Sequence, residues 1–237
     1  MRTYGTEPGM TSLTPQENLW LGVLAELRNS PAIHVYKEYN DPIDDTLGDA
    51  SAAMSEIAED YDIHLDASFH ETYTRFGGIG SSWRTTEEYP FISGEFHIAS
   101  VQLEIEQAPP ELGWRESPID DPHLMYQLRT IDGTPDSGVG TLAAVRVLPG
   151  VTNPEIWFDH GRRGAWKLDL DYRGYMETLR VTKGTFGWQY LFTDVSLRGD
   201  DFGETGRRLS DMLTVFPELF PGYDYQPLRR RLAARLR

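Results

Sequence analysis

Apolar residues recur at helical spacing toward both ends of the chain and at strand spacing in its middle. Trp20, Val23, Leu24 and Leu27 fall at i, i+3, i+4 and i+7, one face of an amphipathic helix. Thr14-Pro15-Gln16-Glu17 precedes them. Thr14 can cap, Pro15 suits the first helical position and Glu17 completes a capping box. Asn29-Ser30-Pro31 stops this helix, and Ala32–Tyr36 reads as a short strand. Met54, Ile57, Ala58 and Tyr61 predict a second helix. A third is predicted over Asp66–Phe76, capped by Asp66, with Phe69, Tyr73 and Phe76 inward and Gly77-Gly78 supplying the positive φ that ends it.

The middle alternates instead. Trp83 flanks one short strand and Gly94–Ala99 makes another. Leu124–Leu128 fits helix and strand equally, and Asp132–Gly140 is a loop of Gly, Pro, Asp, Ser and Thr. Leu142–Leu148, Glu155–Phe158 and Trp166–Leu170 predict successive strands, separated by Pro149-Gly150 and His160–Gly164. Helices return at Tyr172–Thr182, ended by Gly184, at Thr205–Phe216 with Thr205 as cap, and after Pro227. Strands in the middle with helices at both ends predict an α+β fold on a central, mostly antiparallel sheet. The expected organisation is an N-terminal helix with an acidic extension over 1–54, an α+β domain over 55–220 and a basic C-terminal helix over 221–237.

Charge sharpens this picture. The 237 residues carry 22 Lys+Arg and 37 Asp+Glu, a net −15. Arg229, Arg230, Arg231, Arg235 and Arg237 occupy an acid-free C-terminus, so residues 1–228 carry −20. Such a body repels nucleic acid and anionic membranes and steers basic partners inward. Residues 38–74 hold eleven acids and no Lys or Arg. Within that stretch Asp44, Asp45, Glu56, Glu59 and Asp60 are the candidate partner-binding residues, on apolar anchors that leave their carboxylates in water. Cysteine is absent, which removes disulfides, thiol nucleophiles and thiolate metal sites. Met1–Glu17 lacks the apolar core of a signal peptide. No apolar run approaches the ~18 residues of a membrane span, so a cytoplasmic protein is expected.

The candidate chemistry is sparse. Asp132-Gly133-Thr134 resembles part of a phosphoaspartyl hydrolase loop, but Thr130 stands where that chemistry needs its nucleophilic acid. His64, Asp66 and His70 are proper ligand types for zinc, yet their spacing matches no zinc motif and Asp66 is already a cap. Asp159-His160 sits at a predicted hairpin tip, and Asp169 and Asp171 follow on one side of a strand end. Together these four residues make the alternative reading, a small hydrolase or metal-dependent enzyme. Gly77-Gly78-Ile79-Gly80 follows a helix instead of opening one and has no Lys after it, so it is no phosphate cradle. No cofactor and no metal are expected. The six tryptophans, Trp20, Trp83, Trp114, Trp157, Trp166 and Trp188, read as core anchors. Leu228, Leu232 and Leu236 at i, i+4 and i+8 predict that the basic tail docks on the body or on a second copy.

A helix with Phe-Gly-Gly and a Trp strand over Asp66–Trp83, then Gly94-Glu95-Phe96-His97-Ile98, the meander, and a helix into Lys183-Gly184 resemble the SMI1/KNR4 (SUKH) superfamily of actinobacterial type. The block Tyr175–Asp194 carries the same likeness, which covers roughly residues 55–200. The family's usual Leu-Pro before the first core helix is Leu65-Asp66 here. The resemblance implies an α+β fold and a binding role without chemistry: an immunity-type protein that neutralises a cognate basic toxin by occlusion. A structural or ligand-sensing subunit of a larger assembly is the further alternative.

Overall fold

The computed structural model describes residues 12–112, 121–161 and 163–237. Trp114 and Arg162 therefore lie outside the described residues, as do residues 1–11 of the N-terminal segment. Along the chain come α1 (Pro15–Asn29), β1 (Ile33–Asn40), α2 (Ala50–Tyr61), α3 (Ala67–Thr72), β2 (Ile79–Thr85), β3 (Ser93–Ile98) and α4 (Val101–Glu106). There follow α5 (Leu124–Gln127), β4 (Leu128–Gly133), β5 (Thr141–Arg146), β6 (Ile156–His160), β7 (Ala165–Lys167) and α6 (Tyr172–Thr182). A 3-10 turn (Trp188–Phe192), α7 (Gly203–Leu219) and α8 (Gln226–Arg235) close the chain. Among the described residues no helix is long and apolar enough to cross a membrane.

The fold is α+β, and its strands pair antiparallel. They are shared between two sheets, β1-β2-β3 and β4-β5-β6-β7. Side chains of one sheet satisfy backbone groups of the other. Asp132 Oδ1 on β4 accepts the His97 N–H of β3 at 3.0 Å. Glu95 on β3 accepts the N–H groups of Asp136 and Ser137, at 2.6 and 2.9 Å, beyond β4. Both carboxylates are buried, so these bonds offset a desolvation that would otherwise be costly.

Local signals set most helix starts. Thr14 and Glu17 form the reciprocal capping box of α1. Asp66 caps α3 through the Ser68 N–H and Asp171 caps α6 through the Gly174 N–H. Other boundaries differ from the pattern. α3 stops at Thr72, because Tyr73 turns to extended backbone (φ −61°, ψ 137°). Phe76 then pairs with Ile43 in an isolated bridge. Gly77 and Gly78 are not at positive φ. Gly78 is small for another reason: a Cβ there would lie 2.7 Å from His97 Nε2 and 2.8 Å from Asp41 Oδ2. Leu124–Leu128 resolves into one helical turn followed by the start of β4. The strand expected over Trp166–Leu170 is only Ala165–Lys167. α7 begins two residues before Thr205, which does not cap it. α4 had no counterpart in the periodicity.

One buried apolar cluster gathers residues from both sides of positions 54 and 221. It includes Trp20, Leu24 and Leu27 of α1, Phe96 of β3, Tyr175 and Leu179 of α6, Phe216 of α7, and Leu228 and Leu232 of α8. A smaller cluster, Leu124, Leu128, Ala144, Trp157 and Ala165, packs on the second sheet. Trp20, Trp83, Trp157 and Trp188 are buried core anchors, and Trp166 is half-buried against the main cluster. Phe69 and Tyr172 stack at 4.1 Å and so join α3 to α6. α6 ends on Lys183 (φ 52°) and Gly184 (φ 69°). This corner crosses β3 so closely that a Cβ on Gly94 would meet the Gly184 carbonyl oxygen at 2.7 Å.

Candidate functional site

The acidic segment begins in the loop before α2. The Asp44 carboxylate accepts the Thr46 hydroxyl and N–H, at 2.6 and 2.9 Å. These bonds hold its pKa below the usual range. Asp49 then caps α2 through the Ala52 N–H, 2.9 Å away. Ala53, Met54 and Ile57 turn inward, which leaves Glu56, Glu59 and Asp60 at i, i+3 and i+4 on the exposed face. The helix ends on Asp62 in the left-handed region, whose N–H reaches the Ala58 carbonyl.

Two acids of this segment pair with cations, Glu38 with Arg28 and Glu71 with Arg173, and Asp62 lies 3.8 Å from the His64 ring nitrogen. Among the described residues, Asp44, Asp45, Glu56, Glu59 and Asp60 make no ion pair within 4 Å. Glu56 accepts a hydrogen bond from the neutral Gln102 amide at 2.7 Å. The twelve residues of α2 span about 18 Å at about 1.5 Å per residue. Glu56, Glu59 and Asp60 thus lie along one side of α2, and Asp44 and Asp45 stand in the loop before it. Such a face can attract cations over a distance.

The second candidate set is divided. Asp159, expected at an exposed hairpin tip, is 4% exposed, because its strand is covered on both faces. It accepts the Gly161 N–H at 3.0 Å. His160 Nδ1 lies 2.6 Å from the Tyr190 hydroxyl, and burial, helped by Arg163, lowers its pKa. His160 opens on a cleft of about 530 Å³ that also holds Arg163, Phe186, Glu204 and Arg208. Asp169 and Asp171 share a different cleft, of about 650 Å³, with Glu155, Lys167 and Phe192. Asp171 is occupied capping α6 and Asp169 pairs with Arg231 at 3.1 Å. The acid–base residues are therefore not brought to one substrate position, as a shared reaction centre requires.

His64, Asp66 and His70 are likewise separate. Asp66 Oδ1 holds the Ser68 N–H at 2.9 Å, His64 leans on Asp62, and His70 is exposed in the last turn of α3. Among the described residues no group of three His, Asp or Glu side chains could hold a metal ion.

The strongly perturbed groups lie inside the fold. Burial raises Asp132 to about 7, although Tyr175 Oη donates to its carboxyl at 2.7 Å. Burial likewise raises Glu104 to about 7. Burial lowers Lys183 to about 8, against the opposing effect of Glu26. Lys183 is fully buried, bonded to Glu26 and to Tyr223 Oη, with its ammonium 4.0 Å from the Tyr223 ring centroid. In the sequence Lys183 stood out only as the residue before Gly184 at a helix end. Nothing local marked Glu17, Arg75 or Glu95 as buried charges.

Compared with known proteins, the chain matches no family model, no curated protein and no solved structure.

Proposed function

We propose that this chain is a non-catalytic protein-binding module of the immunity type, which neutralises a basic toxin in the cytoplasm by covering its working surface. The observation that carries this reading is the outer face of α2, where Glu56, Glu59 and Asp60 stand in solvent without a cationic partner among the described residues. Asp44 and Asp45 extend the same charge around the start of the helix. An uncompensated face of this kind accelerates encounter with a basic partner and rejects acidic ones. The toxin as partner class comes from the likeness to the SMI1/KNR4 superfamily. The separation of His160 from Asp169 and Asp171 into two clefts favours binding over hydrolysis.

The test is the association rate with the protein encoded by the adjacent gene, at 0.01 M and 0.15 M salt. Screening contracts from ~30 Å to ~8 Å between these conditions, so wild-type association should slow. A variant with Asp44, Asp45, Glu56, Glu59 and Asp60 changed to Asn or Gln should associate about tenfold more slowly at low salt and lose most of its salt response. Equal rates for both proteins, unresponsive to salt, would refute the docking reading.

A further inference from the structure

Beside the acidic face lies a cleft of about 500 Å³, formed where the N-terminal ends of α1 and α2 meet the last turn of α3 and the stretch after it. That size is within the range of about 300–1,000 Å³ typical of ligand pockets. Pro15, Leu47, Ala50 and Tyr73 give it an apolar wall. Leu47 and Tyr73 are themselves buried, so this wall is backed by the core and keeps its shape. Arg75 also lines the cleft, but its guanidinium is already committed. It bonds both oxygens of the buried Glu17, each at 2.8 Å, and the Ser12 carbonyl at 3.0 Å. The lining therefore presents Asp49 without a cationic partner, and Glu71, which pairs with Arg173 outside the cleft at 2.6 Å, with no uncommitted Lys or Arg of its own. Asp45, which acts electrostatically on Arg75, and Asp44, whose N–H bonds the Arg75 carbonyl at 3.0 Å, stand next to it.

The clefts at His160 and at Asp169 differ in kind. Each contains an acid already paired to a cation of its own lining, Glu155 with Lys167 and Glu204 with Arg208. Of these three clefts, the one at Leu47 and Ala50 has the mostly apolar exposed lining, and it lies beside Asp44, Asp45 and Asp49, which make no ion pair among the described residues. In protein interfaces, binding energy concentrates where one large side chain fills such a pocket, while the charged surroundings set the rate and the specificity.

We infer that this cleft is the anchor pocket of the docking face, and that it receives one large apolar or aromatic side chain flanked in the partner by lysines or arginines. The inference rests on the acidic-face reading and adds to it a place and a chemistry for the partner's anchor.

The experiment uses the full chain, labelled with ¹⁵N, and three synthetic pentapeptides blocked at both ends: Lys-Arg-Trp-Arg-Lys, Lys-Arg-Ala-Arg-Lys and Glu-Asp-Trp-Asp-Glu. The first should bind and shift the amides of Leu47–Ala50 and His70–Arg75. Replacing its Trp by Ala, or reversing its charge, should weaken binding at least tenfold. Ala50→Trp, which fills the cleft from within, should weaken the first peptide at least tenfold. His70→Trp, at an exposed lining position, makes the same test should Ala50→Trp fail to fold. The anchor inference is overturned by absent binding, by shifts confined to other surfaces, by equal affinity of the Trp and Ala peptides, or by indifference to both filling variants. Basic peptides that bind along α2 with no need of Trp would sink the anchor and leave the acidic-face reading standing. That reading fails separately, on the association rates given above.

Discussion

Glu17 and Arg75, 58 residues apart, form a buried bidentate ion pair: Glu17 Oε1 lies 2.8 Å from Arg75 Nε, and Oε2 lies 2.8 Å from Nη2. The same carboxylate accepts the N–H groups of Thr14, at 2.7 Å, and of Arg75, at 3.0 Å. A residue recruited as a helix cap thus also secures the segment between α3 and β2. Burial alone would raise its pKa, but the bonds from Arg75 and Thr14 prevail and hold it below the ordinary 4.5.

Glu17→Gln should therefore leave a buried guanidinium without its counter-charge. Breaking one side of such a pair costs about 3–5 kcal/mol. Urea unfolding at pH 7 checks this, and a loss under about 1 kcal/mol would show that the pair is not held as described. The folded pKa is lowered, so its stabilisation is present above about pH 4.5 and is lost as pH falls through the folded value. The variant should lack that acid-side loss.

Asp132 should behave with the opposite sign. Its folded pKa is raised to about 7 from 3.8, with burial as the main cause. The folded state then binds more protons than the unfolded chain between those values, so this group's contribution falls as pH rises from 4 to 7. Asp132→Asn keeps an acceptor for the His97 N–H without the charge. Its stability relative to wild type should rise across that range, as followed by thermal unfolding at pH 4.5, 6 and 7.5. A difference that stays flat with pH contradicts the assignment.

Lys183 provides an alkaline counterpart. Burial lowers it from 10.5 to about 8, so between those values the folded chain binds fewer protons than the unfolded one and stability rises with pH. Wild type should gain on Lys183→Met between pH 7.5 and pH 10, by up to about 3 kcal/mol at about 1.4 kcal/mol per pKa unit. Parallel unfolding curves at the two pH values would contradict this.

The tail should stabilise through two leucines and not three. Leu228 and Leu232 are 5% and 6% exposed, whereas Leu236 is 39% exposed. The helix end lets Leu236 leave the apolar stripe. Arg229 donates to the Leu213 carbonyl at 2.8 Å, and Arg231 lies 4.1 Å from the Phe192 ring centroid while it pairs with Asp169. Leu232→Ala should cost about 2–5 kcal/mol and Leu236→Ala less than about 1 kcal/mol, by denaturant unfolding. Deleting Pro227–Arg237 should lower the melting temperature. Unchanged melting would mean that the helix is not docked.

The candidate site was partly legible in advance. The run of acids in residues 38–74 needs only counting, and the inward turn of Met54 and Ile57 follows from their spacing. The cleft beside that run was not legible. It is made by Pro15, Leu47, Ala50 and Tyr73, which no single periodic segment contains. The four residues of the hydrolase alternative looked adjacent within a dozen positions. Two strand edges and a helix cap placed His160 and the Asp169–Asp171 pair in different clefts.

By itself the sequence determined what is decided within about one helical turn: the capping box at Thr14 and Glu17, the cap at Asp66, the inward faces of α1 and α2, and the α+β class. These features depend on contacts over three or four residues and on the alternation of polarity. Only the tertiary structure decided the sharing of strands between two sheets, the early end of α3 at Thr72, and the burial of Glu17 against Arg75 and of Lys183 against Glu26. It alone carried the Trp83 indole N–H to the Lys183 carbonyl, 2.7 Å away across 100 residues. Such pairings are selected by the packing of the whole core, where a buried charge or donor must find its partner at any distance along the chain. Local periodicity holds no record of which partner that is.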